Sequence, residues 1–212
     1  MITMKTKNTF KAIALTALFI GFTSCSSDDD NTQQPAPVQS EQVVNLAAPQ
    51  TGGQGQPVGG EFAKFDFETG METTSNTDWD IAFRGTTIAV NGGAITGIAD
   101  EPTRNGNAAA AIVSGTFASV TTADGLTFIQ DAAASFAIPT GSDNGWYNYN
   151  PQLNIVSAIP GKIVVFRTRD GHYAKVEILS YYLDQDSSNP AGGRYYTFNY
   201  VYNPNEGETS LE

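Results

Sequence analysis

The residue types that carry most protein chemistry are scarce in this chain, and the few present can be taken one at a time. The chain holds a single cysteine, Cys25, and a single histidine, His172. A serine nucleophile needs an activating base beside it, and a zinc site needs several His or Cys ligands at fixed spacing. The sequence shows neither arrangement. We therefore expect a binding or structural protein and not an enzyme.

Two pairs of acidic residues could serve acid–base or calcium chemistry. Asp78 and Asp80 are two residues apart and would point to the same side of a strand, where a solvated face is favoured over a catalytic pair. Asp184 and Asp186 open a run that resembles a calcium loop. The glycine at the sixth position and the downstream glutamate of such a loop are missing, so a turn-rich loop is favoured.

An aromatic segment gives the best chemical indication of ligand binding. Trp146, Tyr147 and Tyr149 follow a polar loop that contains glycine, and such a segment can wall a flat, apolar pocket. The same rings can equally close one end of a β-sandwich core, and the residues alone favour this second interpretation modestly. His172 follows an Asp-Gly turn, where a rim residue without a special role is favoured over a metal or haem ligand.

Cys25 lies at the end of a segment with the layout of an export signal. Lysines precede an apolar run over residues 12–22, and the small residues Thr23 and Ser24 lead into the cysteine. The apolar run is too short to span a bilayer, which needs about 20 residues. We predict a lipoprotein signal peptide over residues 1–24, lipid attachment at Cys25, and membrane contact through that lipid anchor only. A plain signal peptide with an incidental cysteine is the alternative.

The charge of the chain excludes one class of partner. The full chain has a formal net charge of −11, and without residues 1–24 it keeps eight basic and 22 acidic residues, a net charge of −14. Nucleic acids and anionic lipid headgroups attract basic proteins through their phosphates. We expect no nucleic-acid partner.

Composition divides the mature chain into a tether and one domain. Residues 25–60 are rich in proline and glycine, and we predict a flexible linker there, with a short apolar segment at residues 43–46 that could dock on the domain. The glycine cluster in the linker has neither the dinucleotide-binding nor the phosphate-loop spacing. Residues 61–212 are long enough for a single domain with a sizeable core.

The periodicity of that domain is mostly two, which is typical of strands. Trp79, Ile81 and Phe83 alternate with polar or small residues and predict one aromatic strand face. An Asp-Gly turn at residues 170–171 between two strand-like runs predicts a hairpin, and residues 125–129 and 194–203 are further candidate strands. The pattern predicts an all-β fold, a single antiparallel β-sandwich or open barrel.

Several of these motifs resemble the HmuY-like family of Bacteroidetes surface lipoproteins. The resemblance spans residues 61–205 and is carried by the segments DWDIAFRG at 78–85, GWYNY at 145–149, TRDGHYAK at 168–175 and GRYYTF at 193–198. The acidic run at residues 28–30, directly after Cys25, is similar to the signal that directs such lipoproteins to the outer face of the outer membrane. The resemblance therefore implies a surface-exposed, lipid-anchored protein of the outer membrane.

The family resemblance also implies a function. It implies an all-β fold that captures haem between loops at one end, with axial His or Met ligands, and passes it to a TonB-dependent outer-membrane receptor. The family's ligands are expected near residues 152–154 and 114–131, where this chain has neither His nor Met. Met71 and His172 do not match ligand positions.

Two functional hypotheses follow from the resemblance and its departures. The first is a haem- or porphyrin-binding lipoprotein with atypical or missing axial ligands, in which Trp146, Tyr147, Tyr149 and His172 are the candidate contacts. The alternative is an accessory lipoprotein that binds no haem and partners a TonB-dependent receptor.

Overall fold

The computed structural model describes residues 34–53 and 55–212. The signal peptide predicted over residues 1–24 and the lipid site predicted at Cys25 lie outside the described residues and stay predictions. Within the described ranges, strands alternate with turns and two short 3₁₀ turns, Leu183–Gln185 and Pro190–Gly192. The strands are β1 (Gln39–Ala47), β2 (Thr51–Gly53), β3 (Gln56–Gly59), β4 (Ala63–Asp66), β5 (Met71–Thr73), β6 (Ile81–Arg84), β7 (Thr87–Val90), β8 (Ala109–Ser114), β9 (Tyr147–Asn150), β10 (Ile155–Ala158), β11 (Lys162–Arg167), β12 (Tyr173–Tyr182) and β13 (Gly193–Asn203).

These strands form two main antiparallel sheets and two small hairpins. The long sheet has five strands in the order β1-β13-β12-β11-β8, and the short sheet has four in the order β5-β4-β6-β7. β2 pairs with β3, and β9 pairs with β10. The described chain thus has the all-β antiparallel architecture predicted from the alternation of its residues.

Aromatic rings fill the space between the two sheets. Phe65 of β4 packs edge to face on Phe198 and Tyr200 of β13, with ring centroids 5.5 and 5.7 Å apart. Phe67, just after β4, lies 5.6 Å from Phe166 of β11. Aromatic pairs of this kind contribute about 0.5–1.5 kcal/mol each beyond the area they bury. They pack the sheets face to face into a sandwich.

The outer face of the short sheet is covered as well. Trp79 and Phe62 pack there with Ala82 of β6 and Ala89 of β7 in a second hydrophobic cluster. Because both faces of β6 are covered, the charged side chain of Arg84 at its end is also buried.

The predicted common face of Trp79, Ile81 and Phe83 is therefore wrong in one part. All three side chains are buried, but Ile81 and Phe83 belong to the core between the sheets and Trp79 to the outer cluster. The reason is that β6 begins at Ile81, so the strand alternation does not extend back to Trp79. Asp80 is also buried, which corrects its assignment to a solvated face; Asp78 is exposed.

The outer face of the long sheet is covered by loops near one end. Val120 and Leu211 pack there against Ile163 and Val165 of β11. The neighbouring Lys175 of β12 is buried, and its ammonium group donates to the backbone carbonyls of Phe117 and Val120 at 2.7 and 2.8 Å. Residues 125–129, a candidate strand in the sequence, belong to these loops and form no strand.

The predicted linker is shorter than expected, because β1 belongs to the long sheet. β1 pairs antiparallel with β13 from Gln39 opposite Tyr202 to Ala47 opposite Tyr195. Leu46 is 1% exposed and lies in the core between the sheets. The boundary predicted at residue 61 therefore moves towards the N-terminus. The few apolar residues at 43–46 suffice for a strand, since β13 supplies the hydrogen-bonding edge and the core contacts.

The hairpin predicted around the Asp-Gly turn at residues 170–171 is confirmed, but one residue of its second strand lies on the face opposite to the one that alternation gives. β11 and β12 pair around the turn at residues 168–172, where the Thr168 amide donates to the His172 carbonyl at 2.8 Å. Strict alternation from Ala174, Val176 and Ile178, whose side chains lie in the core, would place Tyr181 on the outer face of β12. A register irregularity between Ile178 and Tyr182 turns Tyr181 into the core instead. Among the described residues no helix is long and apolar enough to cross a membrane.

Candidate functional site

Two of the predicted ligand contacts, Trp146 and Tyr147, are part of the core. Trp146 is 2% exposed, and its indole N–H donates to the Thr86 carbonyl at 3.0 Å. Its ring lies 5.2 Å from that of Tyr196 and 6.0 Å from that of Tyr181. Both predicted residues are covered by protein and offer no open face to a ligand. The structure thus favours the interpretation in which this aromatic segment closes one end of the sandwich.

His172 lies far from this segment. It precedes β12, and its Nδ1 forms a hydrogen bond of 2.9 Å with the hydroxyl of Tyr202. Trp146 packs instead on Tyr181, near the other end of β12. The eight steps along the strand from Tyr173 to Tyr181 span about 26 Å at ~3.3 Å per residue. The structure does not bring the predicted contacts His172 and Trp146 into one site.

Tyr149 is the residue of the aromatic segment that remains accessible. It lies on β9, is 42% exposed, and its hydroxyl donates to the side-chain oxygen of Asn154 at 2.9 Å. It lines an open groove of about 350 Å³ at the end of the long sheet where β12 ends and β13 begins. We call this the aromatic groove. Its lining residues are Tyr149, Asn154, Val156, Tyr181, Tyr182, Pro190, Ala191, Gly193 and Arg194.

The aromatic groove continues into a second, smaller depression of about 230 Å³. The two share Val156, Tyr181 and Tyr182. Of the large apolar side chains that are exposed, Leu179 lines the second depression, and Leu153 directly precedes Asn154 in the wall of the groove. Leu179 thus adds exposed apolar surface to the second depression.

The electrostatics of the groove depend on one cation and several phenols. Arg194 is the only Lys or Arg among the lining residues, and its guanidinium donates to the Gln50 carbonyl at 2.7 Å. Burial raises the pKa of Tyr181 to about 12, although the nearby Arg194 acts in the opposite direction. The Tyr181 phenol is therefore protonated at neutral pH. The groove offers aromatic surface, hydroxyl donors and one positive charge.

Several non-glycine residues in and beside the groove have positive φ angles. Asn154 and Arg194, which line it, have φ angles of 55° and 74°, and Asp184 and Gln185 in the adjoining 3₁₀ turn have φ angles of 52° and 61°. Residues other than glycine seldom adopt this left-handed conformation, and where they do the surroundings must impose it. Such residues cluster at functional sites more often than elsewhere.

The two loops in which the family's iron ligands were expected are not brought together. Asn154, in the first segment, lines the aromatic groove. Phe117 and Val120, in the second, bind Lys175 near the start of β12, the end at which His172 also lies. Among the described residues no group of three or more His, Cys, Asp or Glu side chains could hold a metal ion. Asn154 of the first segment thus lies near the end of β12, and Phe117 and Val120 of the second lie near its start.

The sequence did not indicate Arg194 as a contact, and Asn154 stood only in a segment where the family has an iron ligand. Arg194 stands in the segment GRYYTF, which carries part of the family resemblance, but nothing in the sequence shows that the chain turns there into a groove.

A larger groove of about 820 Å³ lies beside β4 and β5 and is lined mainly by polar residues, among them Lys64, Glu72 and Asp100. Burial raises the pKa of Glu72 there.

The fold is an antiparallel two-sheet sandwich with a groove between loops at one end. The chain belongs to the HmuY protein family, which it matches over residues 60–200. Among solved structures, the apo HmuY analogue of Tannerella forsythia is 14% identical and superposes with a TM-score of 0.53, covering 82% of this chain and all of that one. At this identity the likeness shows the fold alone.

Two further structures show weaker similarity. A candidate lipoprotein of Bacteroides fragilis is 15% identical with a TM-score of 0.45, over 84% of this chain and 93% of its own. A candidate HmuY-like haem-binding protein of Bacteroides vulgatus is 15% identical with a TM-score of 0.46, over 78% and 93%. No curated protein sequence matched the chain.

Proposed function

We propose that this protein binds haem, or a similarly flat porphyrin that carries carboxylates, in the aromatic groove. The observation that carries the proposal is the position of Tyr149, half exposed in a groove that also presents Arg194, in a chain of the HmuY family. The family resemblance implies haem capture between loops at one end of the sandwich. The aromatic groove is an opening of that kind.

The chemistry of the groove suits such a ligand. Tyr149 and Val156 offer apolar surface to a porphyrin face, and the guanidinium of Arg194 can pair with a carboxylate. Haem iron accepts a tyrosine oxygen as its protein ligand in some proteins, and the Tyr149 hydroxyl is the best-exposed phenol of the groove. No His or Met lines the groove. The donor set fits coordination by one protein ligand and not by two.

A haem titration of the purified chain tests this proposal. We expect a Soret band typical of high-spin ferric haem with a single protein ligand. Tyr149→Phe keeps the ring and removes the phenol oxygen, so it should shift the band and weaken binding about tenfold, which corresponds to about 1.4 kcal/mol. Tyr173→Phe is the matched control, because Tyr173 lies at the opposite end of β12. Tight binding with a six-coordinate low-spin spectrum, unchanged in Tyr149→Phe, would exclude this site.

The proposed location is the cell surface, with the protein held at the outer membrane by lipid on Cys25. The sequence pattern before Cys25 and the acidic run after it support this location. A TonB-dependent receptor is the proposed partner that takes the haem. Cys25→Ser should release the protein from the membrane fraction, since acyl chains supply about 0.8 kcal/mol of membrane affinity per buried CH₂. A variant that still sediments with membranes would contradict lipid anchoring.

The second candidate function is that of an accessory lipoprotein that binds no haem. Its support is specific: neither expected ligand loop carries His or Met, and Trp146 and Tyr147 are buried. A titration in which no Soret band develops with either ferric or ferrous haem would favour this function. Binding to the receptor would then have to be measured without haem.

A further inference from the structure

The connection between β12 and β13, residues 183–192, is held at both ends by one short segment of the chain, residues 45–50. At its start, the Asp184 amide donates to the side-chain oxygen of Asn45 at 2.8 Å, and the Asn45 side-chain amide donates to the Asp184 carboxylate, also at 2.8 Å. The two side chains are thus bonded reciprocally across 139 positions of sequence.

The end of the same connection is fixed in a similar way. The Ala48 amide donates to the Arg194 carbonyl at 2.8 Å, and the Arg194 guanidinium donates to the Gln50 carbonyl at 2.7 Å. Segment 45–50 consists of the last three residues of β1 and the three residues that follow it. β1, which lies within the segment predicted from sequence to be a linker, therefore also holds the connection beside the aromatic groove.

The backbone conformations of Asn45 and Asp184 suit residues of these two types, and this supports a specific role for the Asn45–Asp184 pair. Asn45 has a φ angle of 59° and lies where the β1–β13 register shifts, and Asp184 has a φ angle of 52°. Asn and Asp tolerate the left-handed region better than other residues with a side chain. A bulge of this kind re-aims a side chain out of the regular alternation. Here it aims Asn45 at the connection.

The connection supplies much of the groove wall. Pro190 and Ala191 line the aromatic groove, and Gln185 and Ser187 line the depression beside it. The opposite walls come from β9, β10 and the end of β12. A displacement of the connection would change the width of the groove and the place of Arg194.

We propose that Asn45 and Asp184 are positioning residues for the ligand of the aromatic groove. They set the connection against the strands, and neither lines the groove itself. The identity of the ligand rests on the proposed function, whereas the contact between Asn45 and Asp184 is seen without any ligand. Haem binding and the hold on the connection can therefore be tested separately.

Two substitutions that exchange the amide and the carboxylate between positions 45 and 184 provide the test. Asn45→Asp keeps the size of the side chain and its tolerance of a positive φ, but it removes the donor and sets two carboxylates against each other. Asp184→Asn restores a donor opposite that new carboxylate. The double variant should therefore recover the side-chain bond that Asn45→Asp alone loses, now donated from position 184 to position 45, while the backbone amide of residue 184 keeps its acceptor there. Gln42→Glu, which removes an exposed amide donor to Asn199 on the same strand, is the matched control.

Two readouts are needed. In the ligand-free chain, limited proteolysis should cut within residues 183–192 about tenfold faster in Asn45→Asp than in the wild type, and at the wild-type rate in the double variant and in Gln42→Glu. Haem affinity should fall about tenfold in Asn45→Asp and return to within about twofold in the double variant, as expected for two directly coupled residues.

The outcomes separate this inference from the proposed function. If the wild type binds no haem, the proposed function fails, and the positioning of a haem ligand fails with it, while the proteolysis still shows whether the pair holds the connection. If haem binds and Asn45→Asp leaves affinity unchanged, the positioning role is overturned. A double variant that stays as impaired as Asn45→Asp, in affinity or in cleavage, overturns it as well.

Discussion

The carboxylate of Asp80 accepts a hydrogen bond of 2.8 Å from the backbone amide of Arg169, a residue 89 positions later in the chain. Asp80 directly precedes β6 of the short sheet, and Arg169 lies in the turn between β11 and β12 of the long sheet. The second carboxylate oxygen of Asp80 accepts the amide of Phe67 at 2.9 Å. One buried carboxylate therefore joins the two sheets.

The side chain of Arg169 extends this junction. Its guanidinium contacts Asp66 at 2.7 Å, Glu68 at 3.3 Å and Asp170 at 3.0 Å, and lies 3.7 Å from Asp80. Several carboxylates share one cation. Burial raises the pKa of Asp80 to about 6, and the two amide hydrogen bonds and Arg169 offset only part of that effect.

This pKa has a consequence for stability that can be measured. Because the native state holds the Asp80 proton more tightly than the unfolded chain, with its ordinary value of 3.8, this group stabilises the fold as pH falls through 6 and not as pH rises. Asp80→Asn removes the titration. We expect the free energy of unfolding of the wild type, relative to that of the variant, to increase by about 1 kcal/mol from pH 7.5 to pH 5.

Urea denaturation at both pH values measures this difference. Because the wild type and the variant share every other titrating group, Asp66, Glu68, Asp170 and Tyr202 included, the comparison isolates Asp80 to first order. If the free energy of unfolding of the wild type, relative to that of Asp80→Asn, stays constant or decreases from pH 7.5 to pH 5, the carboxylate is ionised in the native state at pH 5.

The inclusion of β1 in the domain gives a second prediction. Leu46→Ala should lower the free energy of unfolding by about 2–5 kcal/mol, since Leu46 is fully buried in the core. Val44→Ala on the same strand is the control, with a side chain that is 55% exposed and an expected effect within about 0.5 kcal/mol. Equal, small effects of the two substitutions in denaturant unfolding would mean that β1 is not part of the cooperative unit.

The outer cluster of the short sheet gives a third prediction. Trp79 is fully buried with Phe62, Ala82 and Ala89, and its indole N–H donates to the Asn76 carbonyl at 3.3 Å. Trp79→Ala should lower the free energy of unfolding by about 3–5 kcal/mol. A loss below about 1 kcal/mol in urea denaturation would indicate that this layer is detached from the core in solution.

The fold was largely predictable because its signals are local. Alternation and an Asp-Gly turn indicated the β11–β12 hairpin, and an aromatic run indicated β13. What failed was the assignment of faces. Trp79 packs with Phe62 on the outer face of the short sheet, and Asp80 is buried by its contacts with the Phe67 and Arg169 amides. A period of two cannot show that both faces of a strand are covered.

The site was predicted less well, for a different physical reason. Trp146 and Tyr149 are three positions apart in one aromatic segment, yet one closes the core and the other lines the groove. Composition could not separate them, since the choice depends on Tyr181 and Tyr196 from distant strands. The place of Arg194 and the pairing of Asn45 with Asp184 also depend on contacts between residues that are far apart in the sequence.

The last prediction concerns His172. Its Nδ1 bonds the Tyr202 hydroxyl at the end of the sandwich away from the aromatic groove. His172→Ala should therefore leave the spectrum of bound haem and its affinity unchanged, while it lowers the free energy of unfolding by about 1 kcal/mol through the lost partner of Tyr202. Absorption spectra of the haem-loaded variant, recorded beside those of Tyr149→Phe, provide the measurement. If the spectral change appears in His172→Ala and not in Tyr149→Phe, haem binds at the hairpin end, and the aromatic groove is not its site.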